Sequence, residues 1–454
     1  MVRFSGYDDV IMRVYEHRQE QVFKYWDDLS DRDKKHLLDE LKDVDLALME
    51  RLYAASGKHH EHLQFEPPLL VPLPETDEQK EERAMAINEG RESIKNGHVA
   101  AFIVAGGQAS RLGYNSSKGI FPIGQVSGKS LFQLHGEKIL ASSRKYGAEI
   151  PWLIMTSVHN HDETSDYFKK MDFFGLDEKD IFIFPQNMIP SLDSNGKLVL
   201  ETPWSLFKNP DGHGGSFKAM SSSGALMKIK ERDIRIISYF QVDNPLVKII
   251  DPEFIGYHIL FMAEASSKAI PKAYPEEKVG VFVKFSDGKT GVVEYSDLPP
   301  EKITARAQDG SLLYSAGNIA VHLFNLDFIE RLTSGESAAL PFHTARKTLS
   351  AHEGEIDGFK FEKFIFDALP MAEHTVVMET RREDEFAPVK NASGPDSPET
   401  SQKLMSELHR KWLLSRGIGI PEKVSVVEIS PLTALEAEDI PHDIAIPNAR
   451  EIEL

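Results

Sequence analysis

The first ninety or so residues place apolar side chains at the spacing of amphipathic helices. Within residues 21–52 these positions are Val22, Trp26, Leu29, Leu37, Leu38, Leu41 and Met49. This period predicts helices that bury one face. Ser30, with Asp33 three positions later, predicts a capped start for the second helix. The proline-rich residues 67–74 then predict an extended connector, and the charged residues 75–97 predict a solvated helix.

From His98 onwards the pattern changes to short, β-rich apolar runs separated by helix-like segments. The runs are VAAFIVA, IPWLIMTS, IFIFPQ and IRIISYFQVD. Strands that alternate with helices predict a largely parallel sheet with crossover helices. Two further β-rich runs around Asp287 and Gly288 predict a hairpin inserted into this arrangement.

The remaining residues predict a small terminal unit. Residues 401–417 form one helical pattern that Gly417 is expected to end, and VSVVEI predicts a strand. The resulting division is a helical N-terminal region (1–96), a central α/β domain (97–392) and a small C-terminal domain (393–454). His59, His60 and His62, within GKHHEH, are interpreted as part of a polar loop.

Composition narrows the possible functions. The 454 residues include 52 basic and 71 acidic side chains, which give a net charge of −19. Such a balance argues against broad binding to nucleic acid or to an anionic membrane, since both depend on clustered Lys and Arg. The chain has no cysteine, which excludes disulfides and thiolate chemistry. No apolar run approaches the length of a membrane span, and the N-terminus lacks the apolar core of a signal peptide. We therefore expect a cytoplasmic protein.

A glycine-rich segment follows the first β-rich run. Gly106 and Gly107 come directly after the strand, and Arg111 and Lys118 follow on the same loop. Tandem glycines let backbone N–H groups approach a base or a phosphate, and the two cations could hold a polyphosphate. The segment matches neither G-x-G-x-x-G nor the Walker pattern. A tight turn with two surface cations is the alternative interpretation.

Asp243 is the candidate metal ligand. It follows the apolar run IRIISYF, so its carboxylate should emerge at the carboxyl edge of the sheet. Mg²⁺ commonly takes one or two carboxylates and completes its shell with phosphate and water. From the residues alone, a turn built on Asn244 and Pro245 is an equally good explanation.

An ordered series of segments resembles one family. GGQASRLG with the following Lys118-Gly119 resembles the signature of the UDP-N-acetylglucosamine pyrophosphorylase branch of the UTP-dependent uridylyltransferases. The likeness continues in family order through FPQNMIP, NPDGHGGSFKAM, FQVDNPLVKIIDPEFIG, VVEYSD, SAGNIAVHLF and REDEFAPVKNA. This resemblance implies a Rossmann-like, GT-A-like nucleotidyltransferase domain with a mixed sheet. A helical N-terminal part and a small C-terminal α+β domain would flank it.

The resemblance also implies roles for particular residues. Arg111 and Lys118 would bind the triphosphate and the departing pyrophosphate, Lys390 the sugar phosphate, and Asp243 the Mg²⁺ cofactor. The implied nucleotide-binding residues are Gly106, Gly107, Gln186 and Gly212. The implied sugar-binding residues are His213, Glu294, Tyr295 and Asn318.

The implied reaction is transfer of a uridylyl group from UTP to a sugar 1-phosphate, with a UDP-sugar and pyrophosphate as products. N-acetylglucosamine 1-phosphate is the first choice of acceptor. His213 departs from the branch pattern, which carries Asn there, whereas glucose-specific and broad-range relatives carry His. A UDP-glucose or broad-range UDP-sugar pyrophosphorylase is therefore the alternative.

Two other classes are less consistent with the residues. The missing G-x-G-x-x-G disfavours a nicotinamide-dependent dehydrogenase. The presence of Arg111, Lys118, Asp243 and Lys390 argues against a non-catalytic nucleotide-sugar binding protein.

Overall fold

The computed structural model describes residues 1–56, 64–335, 340–447 and 449–454. The chain forms two compact units. The first unit comprises Met1–Leu63, Gln186–Ser216 and Leu340–Ile365, and the second comprises Gln64–Pro185, Phe217–Ala339 and Phe366–Leu454. Both are discontinuous in sequence, whereas the three domains expected from the sequence are continuous, and that division stays a prediction. The histidines of GKHHEH lie outside the described residues.

The helices and strands of the described residues are numbered here in chain order. The α-helices are α1 (Asp8–Glu16), α2 (Asp31–Lys42), α3 (Leu46–Ala55), α4 (Asp77–Lys95), α5 (Leu131–Tyr146), α6 (His161–Lys170), α7 (Ser216–Ser222), α8 (Ala225–Lys230), α9 (Pro252–Leu260), α10 (Pro300–Ile303), α11 (Leu326–Thr333), α12 (Arg382–Glu385) and α13 (Pro398–Ser415). The strands are β1 (Phe65–Glu66), β2 (Val99–Val104), β3 (Trp152–Thr156), β4 (Ile181–Pro185), β5 (Met188–Pro190), β6 (Leu192–Asp193), β7 (Leu200–Thr202), β8 (Ser205–Leu206), β9 (Lys208–Pro210), β10 (Ile236–Gln241), β11 (Ala265–Pro271), β12 (Val281–Phe285), β13 (Thr290–Val293), β14 (Ala316–Asn325), β15 (His343–Ala351), β16 (Gly354–Glu362), β17 (Thr375–Glu379), β18 (Val426–Glu428) and β19 (Glu451–Glu453). None of the helices in these ranges is long and apolar enough to cross a membrane.

The first unit packs α1–α3 against strands from distant parts of the chain. The Ser30 side chain accepts a hydrogen bond from the Asp33 N–H, which confirms the predicted cap of α2. Val22 and Trp26 are buried as their spacing predicts, but they lie on two 3-10 turns rather than on an α-helix. The helices share their apolar core with Leu192 and Phe361 of the three-stranded sheet β15-β16-β6.

The second unit contains a ten-stranded mixed sheet, and its main path runs β1-β12-β14-β10-β2-β3-β4. Strands β10, β2, β3 and β4 are parallel, which confirms the strand–helix alternation. Strand β14 runs antiparallel to both β10 and β11. The sheet is therefore mixed, as the family resemblance implies. Loops that follow β2, β3 and β10 emerge at one edge, and that edge carries the candidate site.

Four local predictions concern the second unit. Those of a hairpin, of the helix end at Gly417 and of a C-terminal strand are confirmed, and that of a solvated helix at residues 75–97 is wrong in part. Strands β12 and β13 pair as a hairpin, Gly417 follows α13 with a φ of +74°, and β18 is a strand paired with β19. Helix α4 is largely exposed, but it is not simply solvated. A Cβ on Gly90 would stand 1.9 Å from the Pro252 carbonyl oxygen, so this glycine lets α4 lie directly against α9.

Candidate active site

The glycine-rich loop folds back on itself at the end of β2. Ala105 is fully buried, and the Lys118 N–H donates to the Gly107 carbonyl at 3.1 Å. Gly113, at φ +70°, ends a short 3-10 turn between these two positions. A Cβ on Gly107 would meet only the Lys118 Cδ, at 4.0 Å. The space beside the Gly107 Cα is therefore open among the described residues, and its role in binding a ligand stays a prediction.

Two polar residues next to β3 hold this loop in place. The buried Asn160 side chain donates to the Ala105 carbonyl at 3.0 Å and to the Ser117 Oγ at 3.3 Å. Glu163 accepts from the Ser117 N–H at 2.9 Å. Neither residue was predicted from the sequence. The sequence does contain a signal for them. They belong to a polar cluster that directly follows β3, a buried strand beside β2, and such a cluster must lie beside the glycine-rich loop.

Lys118 and Asp243 form an ion pair. The Lys118 Nζ lies 3.3 Å from the Asp243 Oδ2, and only 16% and 11% of the two side chains are exposed. The pair forms because β10 lies parallel to β2, with Gln241 beside Val104, so the loops after the two strands meet. Partial burial strengthens the attraction beyond that of a surface pair. Asp243 thus lies at the predicted edge of the sheet.

The segment that carries Lys390 is bound to the Asp243 loop. The Val389 N–H donates to the Asp243 carbonyl at 2.8 Å. The Asn244 side chain accepts from the Ala387 N–H at 3.1 Å and donates to the Glu385 carbonyl at 2.7 Å. Asn244 is therefore more than a turn residue, because it fixes the segment that ends at Lys390.

Two of the three cations form no ion pair within the described residues. Arg111 and Lys390 are both exposed. Neither guanidinium nor ammonium forms an ion pair or a side-chain hydrogen bond in those parts of the chain, although the Lys390 Nζ stands 5.6 Å from the centre of the Phe386 ring. Burial raises the pKa of Asp396 and the nearby Lys390 opposes that shift, so a carboxyl group lies close to the Lys390 ammonium.

The structure brings Glu294 and Asn318 together around Gly280. The Asn318 N–H donates to the Gly280 carbonyl at 2.8 Å, and a Cβ on Gly280 would stand 3.1 Å from the Glu294 Oε1. Tyr295, which follows Glu294, is 44% exposed. Strand β14 pairs antiparallel with β10, so its beginning, where Asn318 lies, faces the same edge as the end of β10, which precedes Asp243.

Gln186, Gly212 and His213 lie in the first unit. Gly212 has a φ of +85°, and a Cβ there would stand 2.4 Å from the Lys363 carbonyl oxygen. Packing within the first unit therefore already requires this glycine. The His213 Nδ1 accepts from the Ile365 N–H at 3.2 Å. Burial, followed by the nearby His343, lowers the pKa of His213 to about 4, so the neutral ring carries its hydrogen on Nε2.

Gly107 and Gly119 lie in the same segment, and comparing their substitutions tests the role of Gly107. A Cβ on Gly119 would stand 2.1 Å from the buried Phe132 ring, so Gly119→Ala should lower the free energy of unfolding by about 1–3 kcal/mol through overpacking. Gly107→Ala should change stability by less than about 0.5 kcal/mol and yet reduce turnover. Denaturant unfolding and initial rates measure the two effects. Equal losses of stability would contradict the assignment of Gly107 to ligand approach.

Asp211 provides a prediction about pH. Burial raises its pKa to about 7 against an ordinary value of 3.8, while Lys363 opposes the shift. Asp211 Oδ1 has no hydrogen-bond partner within the described residues. The folded chain holds the Asp211 proton more tightly than the unfolded chain does. The free energy of unfolding therefore falls as the pH rises from ~4 to ~7. Asp211→Asn should remove a penalty of at most about 4 kcal/mol, so its Tm should exceed that of the parent at pH 8. The difference should shrink towards pH 4, and a constant difference would contradict the shift.

The fold and this edge define the class. A mixed sheet carries a glycine-rich, cationic loop after one strand and a carboxylate after its parallel neighbour, as in nucleotidyltransferases. The family described as UTP--glucose-1-phosphate uridylyltransferase matches residues 52–439. The chain belongs to this family, and it is an enzyme, a uridylyltransferase.

Relatives agree over nearly the whole chain. The sequence is 37% identical to "UDP-N-acetylglucosamine diphosphorylase 2" of Arabidopsis thaliana, across 96% of this chain and 91% of the relative. The solved UDP-N-acetylglucosamine pyrophosphorylase of Trypanosoma brucei is 28% identical with a TM-score of 0.86, across 97% of this chain and 95% of that chain. A UDP-glucose phosphorylase of Trypanosoma brucei is 14% identical with a TM-score of 0.62, across 92% and 85% of the two chains, and shares the fold. The resemblance inferred from the sequence is confirmed.

Proposed function

We propose that the enzyme transfers the uridylyl group of UTP to N-acetylglucosamine 1-phosphate and releases pyrophosphate. The observation that carries the proposal is the Lys118–Asp243 pair at 3.3 Å, beside the open glycine-rich loop and the cationic Lys390. The choice of sugar is supported by the names of the relatives, since the chain is much more similar to the N-acetylglucosamine enzymes than to the glucose enzyme.

The reaction needs positioning and charge neutralisation more than acid–base chemistry. An oxygen of the sugar phosphate attacks the α-phosphorus of UTP and forms a new P–O bond. The bond from that phosphorus to the pyrophosphate oxygen breaks, and the leaving group keeps the electron pair. The nucleophile is already anionic, so no side chain has to remove a proton. Cations placed where negative charge accumulates lower the barrier.

Each cation has a distinct place in this proposal. Arg111 and Lys118 hold the triphosphate and then the departing pyrophosphate, and Lys390 holds the phosphate of the sugar. Gly106 and Gly107 allow their backbone N–H groups to approach the nucleotide, while Gln186 and Gly212 bind the uracil. The assigned sugar-binding residues are His213, Glu294, Tyr295 and Asn318.

Asp243 fits the Mg²⁺ expected from the sequence. Within the described residues no group of three or more His, Cys, Asp or Glu could hold a metal ion, so a site enclosed by protein ligands is not formed there. A single carboxylate suits Mg²⁺ when phosphate and water supply the other ligands. When bound, the ion would offset charge on the phosphate oxygens. Asp243 would hold the ion, and Lys118 would bind the phosphates of the nucleotide beside it.

A second acceptor, glucose 1-phosphate, is favoured by one observation. His213 stands where the N-acetylglucosamine branch carries Asn, and its Nδ1 accepts from the Ile365 N–H. An imidazole can bind a sugar hydroxyl as well as an acetamido oxygen. The acceptor is therefore the part of the proposal that most needs a direct experiment.

The test is pyrophosphate release from UTP with a panel of sugar 1-phosphates. We expect kcat/KM to be highest with N-acetylglucosamine 1-phosphate. A preference for glucose 1-phosphate would overturn the choice of sugar, and no release with any acceptor would overturn the transferase assignment. His213→Asn, compared with the parent on the same panel, then measures whether this residue contributes to the choice.

A further inference from the structure

The second unit contains a cavity that is partly open to solvent and that none of the predicted site residues lines. Its volume is about 140 Å³, which is close to that of an engineered cavity known to hold benzene. Helices α4, α5 and α13 contribute to its wall, together with residues 245–253 and 428–436. Leu134, Leu246, Leu408 and Trp412 provide an apolar surface that suits an aromatic ring.

Lys138 of α5 places an ammonium group in this apolar lining. Its Nζ donates to the carbonyl oxygens of Pro245 and Val247, the second at 2.9 Å. Within the described residues no carboxylate lies within ion-pair distance of it. In its protonated form the group has three donors, so one hydrogen is left over after the two carbonyls. Burial lowers the pKa of Lys138 to about 7, with Glu385 opposing the shift and Lys248 adding to it.

The carboxylates in the lining do not compensate this charge, because other groups already bind them. Glu253 pairs with Arg83, Asp251 with Lys268, Asp384 with Lys411, and Glu436 with Lys145, while Glu428 accepts from the Val126 N–H. Two cations of the lining, Arg91 and Lys138, form no ion pair within the described residues, and Lys138 is the less exposed of the two.

A buried histidine lines the same cavity. The His409 Nδ1 accepts from the Ile429 N–H at 3.0 Å, and burial lowers the pKa of His409 to about 4. The ring is therefore neutral near pH 7, and it also makes a hydrogen bond with the Val427 backbone, which opposes the shift. An apolar cavity that holds an ammonium is suited to an anion with an apolar body.

We propose that this cavity binds a small aromatic carboxylate, with its ring against Leu134 and Trp412 and its carboxylate on Lys138. The volume of the cavity suits a single ring, and the charge of Lys138 suits one carboxylate. Neither the family match nor the transferase assignment implies this site.

Binding there would act on the loop that carries Asp243. The carbonyls that Lys138 binds belong to residues two and four positions after Asp243, and Asn244 between them fixes the segment of Lys390. A carboxylate that draws Lys138 away from these carbonyls would loosen the loop and lower turnover. This effect rests on the proposed function, whereas binding of the carboxylate does not.

Benzoate is the probe, and isothermal titration of the full chain is the measurement. We expect one site, with binding at least tenfold weaker in Lys138→Met, which keeps the length of the side chain and removes its charge. Benzamide, which has the same ring without the charge, should bind the parent at least tenfold more weakly than benzoate. Equal binding of benzoate by the parent and Lys138→Met, or no binding by the parent at millimolar concentration, would overturn the site.

A second variant tests the location of the site independently, in case Lys138→Met does not fold. Ala434, which is 5% exposed, also lines the cavity, so Ala434→Phe should fill part of the chamber and weaken benzoate binding at least tenfold with Lys138 intact. Unchanged binding in a folded Ala434→Phe variant would overturn the location. Benzoate that binds without changing the initial rate would overturn the coupling. Normal binding by a chain with no activity on any sugar 1-phosphate would overturn the proposed function and leave the site standing.

Discussion

Replacing Lys118 with methionine should lower kcat for pyrophosphate release by about two to three orders of magnitude, since removal of one preorganised charge-stabilising donor typically costs that much. The ammonium is the one cation of the described site that is already held in place, 3.3 Å from Asp243 and 16% exposed. Methionine keeps the apolar stem and removes the charge. Initial rates with saturating UTP and acceptor measure the loss.

The control is another lysine changed in the same way. The Lys403 side chain, on α13, is 75% exposed and makes only a distant contact with Glu407 at 3.8 Å. Lys403→Met should stay within about twofold of the parent, as expected for a surface change. Arg111→Ala should resemble Lys118→Met, with an intact fold by circular dichroism. Near-normal activity of both site variants would remove the assignment of this loop to the phosphates.

The sheet edge could be predicted because its signals are local. Each apolar run that ends in Gly106 or Asp243 marks a strand, and alternation with helices makes these strands parallel. Parallel strands present their carboxyl ends together, so the two residues were expected at the same edge. The hairpin at Gly288 and the end of α13 at Gly417 also depend on a few adjacent residues.

The contacts that organise this edge could not be predicted from local pattern. The Lys118–Asp243 pair depends on β10 being the direct neighbour of β2. Asn244 holds Ala387, which lies 143 positions away in the chain. No periodicity indicates such a partner, because both segments are irregular. The core of the first unit could not be predicted for the same reason. Its helices bury Leu192 and Phe361, and the residues next to these two in the sequence do not indicate that packing.

Asp243→Asn should also lower kcat by about two to three orders of magnitude, for a reason linked to Lys118. The amide keeps the shape of the side chain but loses the charge that pairs with the ammonium and that the proposed Mg²⁺ requires. The control is Asp309→Asn, an exposed aspartate whose Oδ1 accepts from the Ser311 N–H at 2.9 Å, a bond that an amide oxygen preserves. That variant should keep parent activity within about twofold.

The double variant decides whether the two residues act as one unit. Groups that act together show strongly non-additive losses. If Lys118 and Asp243 serve the same phosphates, the double variant should be little slower than the slower single variant. If the losses instead multiply, the two side chains contribute independently, and the ion pair would be a feature of the ligand-free protein alone. Titration with Mn²⁺ in the presence of UTP gives a readout other than turnover: Asp243→Asn should weaken metal binding at least tenfold, whereas Asp309→Asn should not.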